Sequence, residues 1–390
     1  RLFRELLKHD GIGKRIVPIL SDEARTFGME PLFKQIGIYA PEGQKYEPVD
    51  HDMMFSYRES RDGQILEEGI TECGSLASFI ASGTSYATHG TLTIPFFIFY
   101  SMFGFQRVGD QIWSLGDNRG RGFLLGATAG RTTLNGEGLQ HQDGHSLLVA
   151  STVPCCVSYD PAYHYEVATI VHDGLRRMID TNEDVFYYLT LYNENYDHPA
   201  MPAGVREGIL AGLYRVRESA HPDRPRVRLL GSGPILNHAL RAADLLEESY
   251  GIGADVYSAT SYQELRRDAI TCDREGLRFP ERDAPVPYVT RILSEDGGDA
   301  PVVAVSDFMR AVPDQVARWV PGGLVSLGTD GFGMSDTRTA LRRFFEIDRD
   351  AIALTALSTL ARRGQIDLDV FVKARSELEF DPDAIVPWER

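Results

Sequence analysis

Two histidines and two acidic residues lie within ten residues of each other, in the run Gly136-Glu-Gly-Leu-Gln-His-Gln-Asp-Gly-His145. Histidine changes its charge near neutral pH, and glycine allows the backbone to approach a bound molecule closely. The run follows an apolar segment, Gly122-Phe-Leu-Leu-Gly-Ala-Thr128, that is typical of a buried strand. Because functional side chains concentrate on loops that strands hold in place, we predict an active-site loop with His141 as a catalytic residue.

The same run has a second interpretation, since histidine and carboxylate side chains are also ligands for zinc or iron. His141, Asp143 and His145 would then form the site of a metal-dependent hydrolase. Zinc hydrolases more often place a histidine pair on a helix, whereas Gly138 and Gly144 indicate a loop. The residue pattern therefore favours histidine chemistry without a metal, and the hydrolase stays as an alternative.

Acidic residues follow two other predicted strands. Glu72 comes after a predicted strand over Gln64–Ile70 and begins a predicted helix, and Asp22 and Glu23 directly follow another strand. The carboxyl ends of parallel strands share one edge of a sheet, where α/β proteins build their sites, so we expect these acids to meet there. A helix dipole also favours an acid at its first turn, which leaves a structural role for Glu72 open.

An aromatic stretch after a further predicted strand, Tyr100-Ser-Met-Phe-Gly-Phe-Gln-Arg107, has the composition of a pocket wall. Its rings are suited to contact a flat organic ring in a ligand. Packing in the core is the alternative for each ring taken singly.

Two series of elements must position these residues. Apolar runs without strict alternation recur between Arg15 and Leu191, which predicts a parallel sheet buried on both faces. A predicted helix over Val205–Arg217 leads to the linker-like segment Ser219–Pro225, and a second alternation of strands and helices follows it. We therefore predict an α/β protein with one domain over 1–218 and another over 226–390.

The composition excludes several classes of protein. A net charge of −16 that is spread along the 390 residues disfavours nucleic acid as the main partner. No apolar run reaches the ~20 residues that a membrane span requires, so we expect no membrane insertion. Four cysteines without a CxxC pair or a disulfide framework fit a cytoplasmic protein. Because the sequence opens within an amphipathic helix and lacks an initiator methionine, we expect a piece of a longer chain.

Taken together, the longer motifs resemble the homodimeric first component of the pyruvate dehydrogenase complex, within the transketolase-like superfamily of thiamine diphosphate enzymes. The resemblance rests on Ser21–Met29, Gly63–Ile70 with Glu72, Tyr100–Arg107, Gly130–His141, Ser158–Tyr163, Tyr192–Tyr196 and Gly328–Gly333. It implies an α/β thiamine diphosphate-binding fold. A pyrimidine-binding domain would be followed by a transketolase C-terminal-like domain.

The resemblance also assigns tasks to the candidate residues. It implies that Glu72 hydrogen-bonds the pyrimidine ring of the cofactor. His141 would bind the developing oxyanion or the substrate carboxylate, and would assist transfer of the acetyl group. The residues that the resemblance places at the cofactor are Ile70, Glu72, Tyr100, Phe103, Arg107, Asp22 and Glu23. It assigns no metal ligand to this chain.

The activity implied is oxidative decarboxylation of pyruvate, with acetylation of the lipoyl group of dihydrolipoyl acetyltransferase. The family's Gly-Asp-Gly motif, which binds magnesium and the cofactor's diphosphate, does not occur in this sequence. We therefore expect an amino-terminal domain elsewhere to hold the magnesium, and a homodimer partner to complete the cofactor site. A non-catalytic assembly module is a further alternative.

Overall fold

The computed structural model describes residues 2–21, 24–295 and 298–389. Its strands are β1 (Ile16–Leu20), β2 (Ile38–Tyr39), β3 (Glu59–Ser60), β4 (Leu66–Glu67), β5 (Ile94–Tyr100), β6 (Gly122–Ala127), β7 (Cys156–Tyr159), β8 (Phe186–Thr190), β9 (Tyr214–Arg217), β10 (Arg226–Gly231), β11 (Gly253–Ser258), β12 (Val302–Val305) and β13 (Leu324–Leu327). Its α-helices are α1 (Leu2–Lys8), α2 (Phe33–Ile36), α3 (Glu72–Gly83), α4 (Ser85–Thr88), α5 (Phe105–Asp117), α6 (Ser146–Ala150), α7 (His164–Ile179), α8 (Arg206–Ala211), α9 (Leu236–Ser249), α10 (Tyr262–Arg278), α11 (Tyr288–Ile292), α12 (Arg338–Phe344), α13 (Arg349–Arg362) and α14 (Leu368–Glu377).

The first large sheet has the strand order β4-β1-β5-β6-β8-β7. Its strands β4, β1, β5, β6 and β8 pair in parallel, as their continuous apolar runs predict. The predicted strand over Gln64–Ile70 is wrong in its extent, because only Leu66 and Glu67 belong to β4. This strand lies at the edge of the sheet, where two of its residues pair with β1, and the preceding Ile65 forms an isolated bridge with Ile38 instead.

The second large sheet has the order β13-β12-β10-β11-β9. Four of its strands pair in parallel, and β9 runs antiparallel to β11 at one edge. The predicted helix over Val205–Arg217 is wrong in its second half, where the chain forms β9. The cause is Gly212, whose φ of +106° ends the helix. Glycine is required there, because a Cβ atom at this position would lie 2.3 Å from the Ser261 carbonyl oxygen.

The described chain divides into two compact units that do not follow a single cut in the sequence. The first unit comprises residues 1–127, 149–157 and 171–191, and the second comprises 128–148, 158–170 and 192–390. The histidine-bearing loop therefore belongs to the second unit, although it directly follows β6 in sequence. The domains 1–218 and 226–390 are continuous stretches of sequence, whereas these units are groups of segments that contact one another. The predicted domain division therefore stays a prediction.

Each unit has its own apolar core. In the first, the ring of Phe123 stacks on Phe96 at 4.5 Å and contacts Tyr187 at 5.3 Å, and all three side chains are fully buried. In the second, α9 packs on β10 and β11 and against α13, burying alanines and leucines on the facing surfaces. Each buried Leu contributes about 1.5–3 kcal/mol relative to an exposed one, so this packing stabilises the second sheet.

Among the described residues, no helix combines the length and the apolar character that crossing a bilayer requires.

Candidate active site

Glu72 is the first residue of α3, as the sequence predicts. Thr71 caps this helix: its backbone is extended, and its hydroxyl oxygen accepts a hydrogen bond of 3.2 Å from the Gly74 amide. The cap fixes the direction of the first turn, and Glu72 is buried. A carboxylate at this position is stabilised by the amino-terminal end of the helix dipole.

The partner of Glu72 is Arg107, on the first turn of α5. Its Nη1 atom donates to Glu72 Oε2 at 3.0 Å, and its guanidinium carbon lies 4.2 Å from the centre of the Phe103 ring. The side chain of Arg107 is 49% exposed, whereas that of Glu72 is 10% exposed. The ion pair is thus closed on the side of the carboxylate and open to water on the side of the arginine.

Aromatic rings extend this group of residues. Tyr100 ends β5, and its ring lies 6.2 Å from that of Phe103 in an edge-to-face arrangement. The ring of Phe27 is 5.4 Å from Tyr100 on another side. The structure therefore brings Glu72, Arg107, Phe103 and Tyr100 together, and we refer to these four residues as the Glu72 cluster.

Three further residues were predicted to lie at the cofactor: Ile70, Asp22 and Glu23. Ile70 lies outside β4, which corrects its prediction as a strand residue, and its side chain is 75% exposed. Asp22 and Glu23 lie outside the described residues, so their placement at the cofactor stays a prediction.

His141 lies on the loop of the second unit, in a turn without regular secondary structure, which agrees with the predicted loop. Its amide and that of Gln142 both donate to the Gly138 carbonyl at 3.2 Å. Its Nδ1 atom is 3.4 Å from Glu137 Oε2, and its side chain is 21% exposed. The imidazole is thus mostly buried and lies beside a carboxylate.

Several residues that sequence reasoning missed hold this loop. The side-chain Nε2 atom of Gln142 donates to Leu134 O at 2.6 Å and to Met334 O at 2.9 Å, and its Oε1 atom accepts from Met334 N at 2.7 Å. Arg131 donates from Nη1 to the Thr329 carbonyl. Asp307 accepts hydrogen bonds from the start of the loop. A signal was present for Asp307, since it follows closely on a buried strand.

The other polar residues of the loop serve its own backbone. Both oxygens of the fully buried Asp143 carboxylate are used: Oδ1 accepts from the amides of His145 and Ser146 at 3.0 Å, and Oδ2 accepts from the Ser146 hydroxyl. Within residues 2–21, 24–295 and 298–389, no group of three or more His, Cys, Asp or Glu side chains is arranged to hold a metal ion. Asp143 thus acts as a capping residue.

Charged groups near the loop are buried and interact with one another. Burial lowers the pKa of Arg131, and the charges of Asp143, Asp307 and Asp330 oppose that shift. Burial raises the pKa of Glu194, but its hydrogen bonds with Arg342 and the positive charge of Arg342 outweigh this and lower it overall. The loop is therefore surrounded by buried charged side chains that interact with one another.

Two family models match the chain. One, described as pyruvate dehydrogenase E1 component middle domain, matches residues 1–199, and another, described as transketolase-like TK C-terminal domain, matches residues 212–348.

Curated relatives are similar along the whole chain. The sequence is 52% identical over 390 residues to the pyruvate dehydrogenase E1 component of Pseudomonas aeruginosa, which covers 100% of this chain and 44% of that protein. It is 50% identical over 389 residues to the Escherichia coli K12 protein of the same name, covering 99% of this chain and 43% of that protein. For the Mycobacterium tuberculosis protein of this name the identity is 53%, with 99% and 42% covered. The chain spans less than half the length of these relatives.

Solved structures of transketolases have the same fold. The Leishmania mexicana transketolase superposes with a TM-score of 0.64 at 16% identity, over 89% of this chain and 43% of that chain. A structure titled split gene transketolase, inactive beta4 tetramer, superposes with a TM-score of 0.62 at 16% identity, over 92% of this chain and 97% of that chain. Together with the family models, these likenesses confirm the predicted transketolase-like α/β fold.

Proposed function

Because the chain belongs to the pyruvate dehydrogenase E1 component family, we propose that it forms the pyrimidine-binding and carboxyl-terminal domains of a thiamine diphosphate-dependent enzyme. This enzyme decarboxylates pyruvate oxidatively and transfers the acetyl group to the lipoyl group of a dihydrolipoyl acetyltransferase. The observation that carries the proposal is the Glu72 cluster, in which a buried carboxylate at a capped helix start lies beside aromatic rings.

The residues present fit a flat ring with a basic nitrogen. The carboxylate of Glu72 is a partner for such a nitrogen, and its burial strengthens a hydrogen bond to it. The rings of Tyr100 and Phe103 offer apolar faces and edges to a second ring. In this proposal Ile70, which is exposed, offers its backbone to the ring. Thiamine diphosphate, when bound, supplies an electron sink for cleavage of the carbon–carbon bond of the substrate.

In this proposal Glu72 shares a proton with the ring nitrogen and thereby sets the protonation state of the pyrimidine. Arg107 holds the Glu72 carboxylate in place at 3.0 Å through a contact that water reaches from one side. An open partner of this kind is readily displaced or reoriented when a ligand enters. Phe103 keeps the guanidinium over its ring and so limits where Arg107 moves.

His141 acts on the substrate. Its imidazole donates a hydrogen bond to the oxygen that gains negative charge, or to the substrate carboxylate, and it exchanges a proton during acetyl transfer. Glu137, whose Oε2 lies 3.4 Å from Nδ1, orients the ring. The remaining imidazole nitrogen is then the one presented to the substrate.

Further parts of the proposal concern what surrounds this chain. The ligands of magnesium and of the diphosphate lie on an amino-terminal domain outside this sequence, and a second subunit completes the site. Asp22 and Glu23 lie near the cofactor, and the chain divides into domains 1–218 and 226–390. The protein works in the cytoplasm, which agrees with its four free cysteines.

The test is Glu72→Gln in the natural full-length protein. The amide keeps the size of the side chain but does not exchange a proton as a carboxyl does. We expect a loss of about 10²–10⁴-fold in pyruvate-dependent dye reduction, together with slowed exchange of the cofactor's thiazolium proton. Unchanged exchange would contradict the role of Glu72.

A matched control is Glu264→Gln. Glu264 also lies in the first turn of a capped helix and pairs with an arginine, Arg267, at 2.8 Å. Its substitution is expected to leave both readouts unchanged. A similar loss in both variants would mean that the effect comes from helix stability.

The metal-dependent hydrolase is not favoured, because the carboxylate of Asp143 is already used within its loop. Metal analysis separates the two functions. Stoichiometric zinc that is retained without thiamine diphosphate would overturn the proposal.

A further inference from the structure

The loop that bears His141 needs support from outside itself. Residues 128–145 contain no helix or strand, and glycines at 130, 136, 138 and 144 give the backbone freedom. Ordering each residue of such a segment costs about 1–2 kcal/mol of conformational entropy. An imidazole that must meet a reacting atom within a fraction of an ångström therefore requires fixed anchors.

The strongest of these anchors is Asp307, which follows β12 at the carboxyl edge of the second sheet. Its carboxylate is fully buried, and each oxygen accepts two hydrogen bonds. Oδ1 accepts from the amide and the hydroxyl of Thr132, both at 2.8 Å. Oδ2 accepts from the amide of Thr133 at 2.9 Å and from its hydroxyl at 2.5 Å. The carboxylate thus fixes two consecutive residues at backbone and side chain.

The backbone around Thr132 is shaped to this carboxylate. Gly130 has a φ of +87°, and a Cβ atom there would lie 2.2 Å from Asp307 Oδ2. The Arg131 amide donates to the Asp307 carbonyl at 3.2 Å. Three successive residues of the loop, from Arg131 to Thr133, therefore contact Asp307. The position before them, Gly130, tolerates only glycine.

A buried arginine balances the charge of this arrangement. Arg342, whose side chain is 6% exposed, donates to the hydroxyl of Thr133 at 3.1 Å and to that of Thr132 at 3.4 Å. It also forms an ion pair with Glu194. Each threonine hydroxyl thus donates to the carboxylate and accepts from the guanidinium. We call Asp307, Thr132, Thr133 and Arg342 the Asp307 clamp.

We propose that Asp307 is a positioning residue for His141: by holding Thr132 and Thr133 it fixes the loop in the geometry in which His141 meets the substrate. The inference rests on the proposed function, since it gives Asp307 its effect through His141. Gln142, next to His141, is the second anchor, so the catalytic side chain is held on both sides.

The main test is Asp307→Asn in the full-length holoenzyme. The amide group cannot accept four hydrogen bonds, and its nitrogen turns a donor toward other donors. We expect kcat for pyruvate-dependent turnover to fall about 10–100-fold, with the affinity for thiamine diphosphate changed less than about twofold. Amide hydrogen exchange at Thr132 and Thr133 becomes faster in the protein without substrate.

A milder variant covers the case in which Asp307→Asn does not fold. Thr133→Val removes only the hydroxyl and is expected to lower kcat in the same direction by about three- to tenfold, whereas Thr133→Ser keeps the hydroxyl and restores kcat. Asp255→Asn is the control. Asp255 is an equally buried carboxylate of the second unit that pairs with Arg226 and the Ser219 amide, remote in sequence from the loop.

A double-mutant cycle separates the inference from the proposed function. In a His141→Ala background Asp307→Asn should cause less than about a twofold further loss, because both changes act through one residue. Full additivity, or an equal effect of Asp255→Asn, would overturn the positioning role. If His141→Ala alone leaves kcat unchanged, the proposed role of His141 fails instead.

Discussion

The two predicted catalytic residues are supported in opposite ways. Glu72 pairs with Arg107, which is half exposed. The loop of His141 is tied to a fully buried carboxylate by four hydrogen bonds, and the side chain of Gln142, within the loop, forms two more with Met334 and one with Leu134. The difference fits the tasks that we propose for them. A residue that receives a large ring needs a partner able to give way, whereas a residue that meets a small reacting group must already be in place.

The largest expected difference between the two regions is in stability. Asp307→Ala leaves four donors of Thr132 and Thr133 without their acceptor and removes the negative charge that interacts with the buried Arg342. It should lower the free energy of unfolding by about 3–5 kcal/mol. Glu72→Ala should cost about 1 kcal/mol or less, because water reaches Arg107. Denaturant unfolding of the two variants measures both values. Equal costs would remove the contrast.

His141→Ala should affect activity without affecting cofactor binding. We expect turnover to fall by about ten- to a thousandfold, because in the proposed function the imidazole acts on the substrate. Calorimetric titration with thiamine diphosphate should give nearly the wild-type affinity. Loss of cofactor binding in this variant would place His141 at the cofactor, and the two regions would then share one task.

Acid should weaken the second unit at the Asp307 clamp. Burial and, next, the positive charge of Arg342 lower the pKa of His238 from 6.5 to about 4, and its Nε2 lies 3.1 Å from Arg342 Nη1. The unfolded chain binds this proton at higher pH than the folded chain does. The stability contribution is therefore present above pH 6.5 and is lost as the pH falls toward about 4.

The measurement for this prediction is the free energy of unfolding across that pH window. The wild-type protein should lose more stability on acidification than His238→Gln does, and the exposed His89→Gln should behave as the wild type. Parallel curves for the wild type and His238→Gln would show that His238 does not carry the effect.

The smallest expected effect is that of Arg107→Gln. The open ion pair should change the free energy of unfolding by less than about 1 kcal/mol, and cofactor affinity should fall by a few fold as Glu72 loses its support. Titration with thiamine diphosphate measures the second effect. Arg119→Gln, which removes another exposed arginine of the first unit, provides the comparison. If Arg107→Gln lost as much stability as Asp307→Ala, the ion pair of Arg107 with Glu72 would not be the weak, displaceable contact that we propose.

Most of the fold was predictable because buried parallel strands leave continuous apolar runs. The strand prediction around Ile94–Tyr100 agrees with β5, and the one at Gly122 agrees with β6. The predicted helix over Val205–Arg217 was wrong in its second half. Its apolar spacing fits a helix, but Gly212 ends the helix and the residues after it pair with β11 as a strand. Spacing alone does not contain that tertiary information.

The site divides in the same way. Glu72 and Arg107 lie 35 residues apart, yet each follows a predicted strand, so their meeting at one edge was within reach of sequence reasoning. The contact of Asp307 with Thr132 spans 175 residues and joins a loop to another sheet. Such a pair depends on how two elements pack, and neither local propensity nor a motif indicates the partner.

The distance between Thr132 and Asp307 along the chain also has a consequence in time. At a synthesis rate of about 5–20 residues per second, the ribosome adds Asp307 roughly 9–35 s after Thr132. The loop is therefore synthesised before its acceptor exists. A nascent chain that stops before β12 would lack the carboxylate that holds Thr132 and Thr133, so the proposed positioning of His141 becomes possible only late in translation.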